Sequence, residues 1–203
     1  MKILIDTFLK MFATPVTTAG TIMSLVAMAF TVASFQAKSK KVLLIIQTMG
    51  SIIFFISYFF LGGVFGGIIN SYYLLRNILF LVINSEKEPK KAKIACICLC
   101  SAYVVTYIIY TLITMPGLTQ SLINVLPVFA SIPGTIALTK TKPVEIRLWK
   151  LPDSFFWITY NSIILSLGGI LCEVFNITSN TISMIRFREK KKPKQPPEEQ
   201  KEQ

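Results

Sequence analysis

The chain has 203 residues, 53% of them apolar, with a mean hydropathy of +0.60 and a formal charge of +11 from 21 basic and 10 acidic side chains. A soluble domain of this size is far less apolar, and the basic residues stand at the ends of apolar runs rather than in a nucleic-acid-binding motif. A soluble fold and a nucleic-acid partner are therefore excluded, and the absence of histidine removes the usual general base of an enzyme.

Residues 1–16 open the chain. The run to Ala13 is too short to cross a hydrocarbon core about 30 Å thick. Ile3, Ile5, Phe8, Leu9 and Phe12 suit an interfacial helix. No small-residue cleavage site follows a clean apolar core, so the segment does not read as a removed signal peptide. Seven predicted spans follow. The first covers residues 17–35. The second, 42–61, has no charge and only Gln47, Thr48, Ser51 and Ser57 as polar breaks. At about 1.5 Å per residue it is long enough to cross the bilayer. The third, 64–83, contains Arg76. The fourth and fifth are 94–113 and 118–138. The sixth, 154–167, is short and could begin as early as Leu148. The seventh, 170–187, contains Glu173. The last residues, 188–203, are mostly Lys, Glu, Gln and Pro; from Lys190 they cannot bury apolar area and are expected to be a disordered tail.

Loop charge orients these spans. Alternate loops are basic: Lys38, Lys40 and Lys41, then Lys87, Lys90, Lys91 and Lys93, then Lys140, Lys142, Arg147 and Lys150, then the tail from Arg186. The turns between them, near Gly62, Met115-Pro116-Gly117 and Gly168, carry no Lys or Arg. Cytoplasmic loops hold the excess of basic residues. The pattern predicts a multi-pass protein of the inner or plasma membrane, with its N-terminus outside and its C-terminus cytoplasmic. The lipid bilayer is the expected partner, with anionic headgroups at the basic side.

A short pattern is written twice. Leu61-Gly62-Gly63 leads to Asn70, and Leu167-Gly168-Gly169 leads to Asn176, at an offset of 106 residues. An internal repeat constrains the whole fold. It divides the chain into a three-helix unit over 17–84, a basic loop and linker helix over 85–117, and a second three-helix unit over 118–187. The expected fold class is thus an all-α membrane protein with spans arranged 3+1+3. With one span between them, the units share an orientation and form a parallel repeat about an axis along the membrane normal.

Few residues suggest chemistry. Cys96, Cys98 and Cys100 are two apart, so on a helix they point to different sides and do not form one metal site. Gly62, Gly63, Gly66 and Gly67 follow no strand and precede no Lys-Ser or Lys-Thr, so they are packing glycines rather than a phosphate loop. Asn176-Ile177-Thr178 matches a glycosylation pattern but lies inside a span. No catalytic constellation, cofactor or metal is expected.

What remains are polar groups in apolar helices, each of which needs a partner away from lipid. Asn70 and Asn176 would face each other across the repeat axis, where each offers an acceptor and two donors to a small polar solute. The plainer role is to clamp neighbouring helices. The same offset pairs Ser51 with Trp157 on the preceding helices. Trp157 would present its ring to a sugar-like solute and donate its N–H, or else belong to an interfacial aromatic belt. Arg76, Asn77, Tyr160, Asn161 and Glu173 are further candidates to line the cavity. A central arginine costs a few kcal/mol or more, so Arg76 should snorkel or line a wet space. Glu173 would lie roughly 13 Å higher by the repeat register, too far for a direct pair, and is expected at the outer mouth.

The chain resembles the YgjV-type bacterial inner-membrane proteins from about Thr14 to Phe187. The matching stretches are Ser34-Phe35-Gln36 with Lys38 and Lys40-Lys41, then Leu61-Gly62 through Asn70 to Arg76-Asn77. They continue with Ile146-Arg147 to Leu151-Pro152, Trp157 to Asn161, Ser166, Gly169, Glu173 and Ile185-Arg186. The family supplies no activity. More distantly, the 3+1+3 plan is similar to the SWEET and PQ-loop transporters. That resemblance implies that an Asn on the third helix of each unit contacts solute, a role for Asn70 and Asn176, with Ser51 and Trp157 contributed by the second helices. Two features differ from that pattern. Pro127 and Pro133 occur only in the fifth span, and Ser34-Phe35-Gln36 stands where a Pro-Gln pair would be. The expected function is a facilitator or carrier of a small polar solute by alternating access, with a homo-oligomer an open option. The alternative is a membrane scaffold or regulatory protein that transports nothing.

Overall fold

A computed structural model describes residues 2–34 and 40–189. Residues 35–39 of the first basic loop and the expected disordered tail, 190–203, lie outside the described residues. Among the described residues the chain is all helical: α1 (Lys2–Met11), α2 (Pro15–Ser34), α3 (Lys40–Phe60), α4 (Val64–Val82), α5 (Pro89–Thr114), α6 (Leu118–Thr139), α7 (Pro143–Ile163) and α8 (Leu167–Glu189). A helix satisfies its own backbone, which apolar runs in lipid require. Four helices, α2, α4, α5 and α6, are long and apolar enough to cross a membrane, and Leu44–Phe60 within α3 is a shorter apolar stretch. α7 holds Glu145, Arg147, Lys150 and Asp153, and α8 holds Glu173, which lowers their hydropathy.

The turns show how the chain stops each helix. Gly62 takes a left-handed conformation (φ 75°) after α3, where a Cβ would be strained. Gly63 N–H then donates to Tyr58 O at 2.8 Å, capping the helix end. Met115 closes α5 in the same left-handed region. Proline opens α5 at Pro89 and α7 at Pro143, where no amide donor is missed.

The second copy of the Leu-Gly-Gly pattern is used differently from the expectation. Leu165 adopts the left-handed turn (φ 57°) and Ser166 N–H donates to Asn161 O at 2.9 Å. Helix α7 therefore stops at Ile163, short of the expected 167, and α8 already begins at Leu167. Gly168 and Gly169 lie in the first turn of α8, not in the turn itself. They are small because of close packing: a Cβ on Gly168 would strike the backbone of Ser24, and one on Gly169 would strike the Asn161 side chain. At its other end α7 starts at Pro143, well before 154. Hydropathy missed that turn because it is charged.

Helix packing closes a ring. α2 packs on α3, α3 on α4, α4 on α6, α6 on α7, α7 on α8, and α8 returns to α2. α5 lies against α6 and α4, and α1 against α2. Aromatic side chains fill the interior, among them Phe65, Phe80, Tyr103 and Tyr160. Ile22, Ile52, Ile97, Ile108, Leu112 and Phe155 are exposed, as lipid-facing residues should be. Between helices in lipid, attraction comes from close contact rather than from water exclusion. Gly66 fits that rule, since a Cβ there would collide with Tyr160.

Candidate functional site: a polar cavity inside the helix ring

A cavity of about 520 Å³ lies within the ring, in the size range of small-molecule sites. Each major wall is one face of a helix. From α3 come Gln47, Ser51, Phe54 and Tyr58, at the three- and four-residue spacing that stacks side chains on one face. From α4 come Asn70, Tyr73, Arg76 and Asn77. Helix α7 supplies Lys150, Asp153, Trp157 and Asn161, again at helical spacing, with Ile146 and Arg147 a turn earlier. Helix α8 supplies Gly169, Cys172, Glu173 and Asn176, then Ser179 and Asn180. Helices α2, α3 and α4 start 103 residues before α6, α7 and α8, and seven pairs of lining residues stand at that offset: Gln47 with Lys150, Phe54 with Trp157, Tyr58 with Asn161, Asn70 with Glu173, Tyr73 with Asn176, Arg76 with Ser179, and Asn77 with Asn180. The Leu-Gly-Gly pattern, at 106, is one helical turn out of this register, so the expected pairs Asn70 with Asn176 and Ser51 with Trp157 are not structural equivalents.

The residues singled out in the sequence come together here with one exception. Asn70, Asn176, Ser51 and Trp157 all line the cavity, as do Arg76, Asn77, Asn161 and Glu173. Tyr160 does not. Its hydroxyl accepts the Gly66 N–H at 3.0 Å and its ring packs edge-on against Tyr58 and Trp157. The missing Cβ on Gly66 draws that ring toward α4 and away from the cavity.

Trp157 also departs from expectation. Its N–H donates to the Tyr73 hydroxyl at 2.6 Å, and Tyr58 stacks on its ring with centroids 5.9 Å apart and planes 13° from parallel. Trp157 is only 4% exposed, so neither its donor nor a broad flat face is left to a sugar ring. Asn161 is partnered as well: Tyr58 donates to its Oδ1 at 3.0 Å, tying α3 to α7. Asn161 thus clamps α3 to α7 as well as lining the cavity. The two central amides differ. Asn70 Oδ1 and Asn176 Oδ1 are buried with no protein hydrogen bond. Asn176 Nδ2 donates to Glu173 at 3.1 Å.

Tyr73 is the hub that sequence reasoning missed. Besides Trp157, Ser131 donates to its hydroxyl at 3.3 Å, and that hydroxyl donates to Asp153 over a long 3.4 Å. Asp153 also binds Lys150 at 2.8 Å. The Arg76 guanidinium lies 3.8 Å from the centre of the Tyr73 ring, a cation–π contact. The legible signal was position: Tyr73 follows Asn70 by one helical turn. Arg147 and Lys150, expected in a cytoplasmic loop, instead sit on α7 and reach the cavity. Glu173, expected at the outer mouth, lines the cavity a turn from Asn176.

Buried amides and charges inside apolar helices are rare, face the interior and mark a candidate functional site. The model of the YgjV bacterial inner membrane protein family matches residues 18–191. The chain belongs to that family. No curated protein and no solved structure matches it. Membership of the YgjV family, together with the apolar helices, makes the chain an integral, multi-pass protein of the bacterial inner membrane.

Proposed function

We propose that this protein is a carrier or facilitator of a small polar solute, with α2 to α8 as seven spans arranged 3+1+3. The observation that carries the reading is the pair Asn70 and Asn176. They line one cavity from α4 and α8, the third helices of the two units, and leave both amide oxygens without a protein donor. A buried unpaired acceptor is costly, and a solute donor would relieve it. In the 3+1+3 plan, residues 17–84 and 118–187 are parallel units, with the linker helix in 85–117 standing beside them. In this reading the N-terminus is outside and the basic ends of the helices are cytoplasmic. The cavity reaches the α6–α7 junction through Leu138, Ile146 and Arg147. The opposite end is laced by Gly66 to Tyr160 and by Gly168, whose N–H donates to Ser24 Oγ at 3.0 Å. That asymmetry supports an inward-facing state of an alternating-access cycle. No enzymatic step and no cofactor is needed.

A second reading, a scaffold whose amides only lock helices, draws on the Tyr58–Asn161 bond. Asn176→Ala separates the two. A carrier loses uptake in proteoliposomes while its thermal unfolding moves little, because intramembrane hydrogen bonds average only about 0.6 kcal/mol. A large drop in unfolding temperature, with no solute effect to lose, would favour the scaffold.

A further inference from the structure

The geometry points to a hydroxycarboxylate as the solute: a small molecule with one carboxylate and at least one hydroxyl group. The inference rests on the carrier reading above and names what that site would hold. Arg76 is 4% exposed and lines the cavity. Its Nε and Nη1 have no hydrogen-bond partner in the protein, and Nη2 reaches only Asn77 Oδ1 at a long 3.4 Å. No acidic side chain forms an ion pair with it among the described residues. Tyr73 covers one flat face of the guanidinium and leaves the donors in its plane. A buried cation without a counter-ion is unfavourable on its own, and a planar guanidinium is matched by the two oxygens of a carboxylate.

The other charges set the valence. Lys150 is held by Asp153 at 2.8 Å and Glu173 accepts from Asn176 at 3.1 Å. Arg76 is left lining the cavity with no carboxylate paired to it among the described residues. That single unmatched guanidinium suits a monoanion better than a phosphate monoester, whose charge at neutral pH is about −1.5 to −2. The unpaired Oδ1 atoms of Asn70 and Asn176 are acceptors. They call for donors on the same solute, which a hydroxyl group supplies and a simple fatty acid does not.

The test uses the full chain with Trp149→Phe, which leaves Trp157 as the sole indole. Trp157 fluorescence is titrated with sodium lactate, sodium propionate, inorganic phosphate and glycerol, in detergent and in phosphatidylglycerol nanodiscs. Lactate should give a saturable response, stronger than propionate or phosphate, and glycerol none. Arg76→Gln should weaken lactate binding about tenfold or more, and Arg76→Lys should recover part of it. A glycerol response that survives Arg76→Gln, with no anion response, overturns the anionic class and leaves the carrier reading standing. No response to either carboxylate also overturns it. Lactate binding seen in detergent but abolished by phosphatidylglycerol would make the anion a lipid headgroup, again overturning the proposal. Lactate binding without flux in proteoliposomes sinks the carrier reading alone. A ligand-free check uses Arg76→Met. Its unfolding temperature should equal or exceed that of the parent, since a buried cation without a partner is removed. A fall of more than about 4 °C, roughly 1 kcal/mol or more for a chain of this size, would mark Arg76 as a structural residue and overturn its assignment to solute.

Discussion

Gly168 is the tightest contact between α8 and α2. A methyl group there would press on the carbonyl carbon and oxygen of Ser24, which are backbone atoms and cannot rotate away. Its N–H also donates to the Ser24 hydroxyl at 3.0 Å, so a shift of α8 would lose that bond as well. Gly168→Ala is therefore expected to destabilise by about 1–3 kcal/mol or more, the usual cost of overpacking. Gly117→Ala is the matched control, because open space surrounds Gly117 and its change should lie within about 0.5 kcal/mol. Thermal unfolding of the two variants in one detergent compares them. Equal unfolding temperatures would mean that the α2–α8 contact yields freely. The sequence revealed that Gly168 mattered but not why. Hydropathy and repetition put it in a turn, whereas its role comes from a contact with Ser24, 144 positions away in the chain. Asn70 and Asn176 were easier to read, since a polar side chain in an apolar helix must turn inward whatever its partners are. Tyr73 was harder. It is amphipathic and as suited to an interface as to a core, and only the positions of Trp157, Ser131 and Asp153 around it reveal its role.

Helix α6 carries two interior prolines, Pro127 and Pro133, where α7 carries one, Pro152. Each lacks an amide donor and its ring crowds the carbonyl four residues earlier. Ser131 reaches back to Pro127 O at 2.7 Å, a bond that also bends helices. Helix α6 meets α7, α5 and α4 and gives the cavity only Leu138, so a bend at its prolines would stand beside the cavity rather than in its main walls. Under the carrier reading, α6 is the element able to flex between states. Pro133→Ala should leave solute binding within about twofold and stability within about 1 kcal/mol, since a hydrogen bond is regained against a small void. Transport in proteoliposomes should slow several-fold. Unchanged flux would remove the α6 bend from the cycle. The first five predicted segments were legible from hydropathy because, apart from Arg76 in the third, they hold no charged residue. Helix α7 was not, since Arg147, Lys150 and Asp153 lower the average over its first half. Those charges face one another and the cavity, so the helix carries them without exposing them to lipid.

At the scale of the whole molecule, the ring order explains how distant positions meet. In the proposed 3+1+3 plan each unit contributes three consecutive helices, and the third helix of one packs on the first of the other: α4 on α6 and α8 on α2. Two copies of one unit placed in the same orientation would close in this way, and the common 103-residue offset of the helix starts and of seven lining pairs agrees with that plan. The plan requires an odd number of spans between matched helices. Helix α5 must therefore cross the bilayer, and its two ends must face opposite sides. Exposed Lys90, Lys91 and Lys93 stand at one end and the uncharged Met115-Pro116-Gly117 turn at the other. Placing cysteines one at a time on a background lacking Cys96, Cys98, Cys100 and Cys172 decides the matter. Cysteine in place of Lys91 should resist an impermeant maleimide added to intact cells and react only after permeabilisation. Cysteine in place of Gly117, where nothing lies within 4 Å of an added Cβ, should react from outside. If both sites label from the same side, α5 does not cross and the units are not parallel, so the lining pairs at the 103-residue offset lose their symmetric origin. If both label but with the sides exchanged, the ring survives inverted, and the cavity end near Arg147 would open outward.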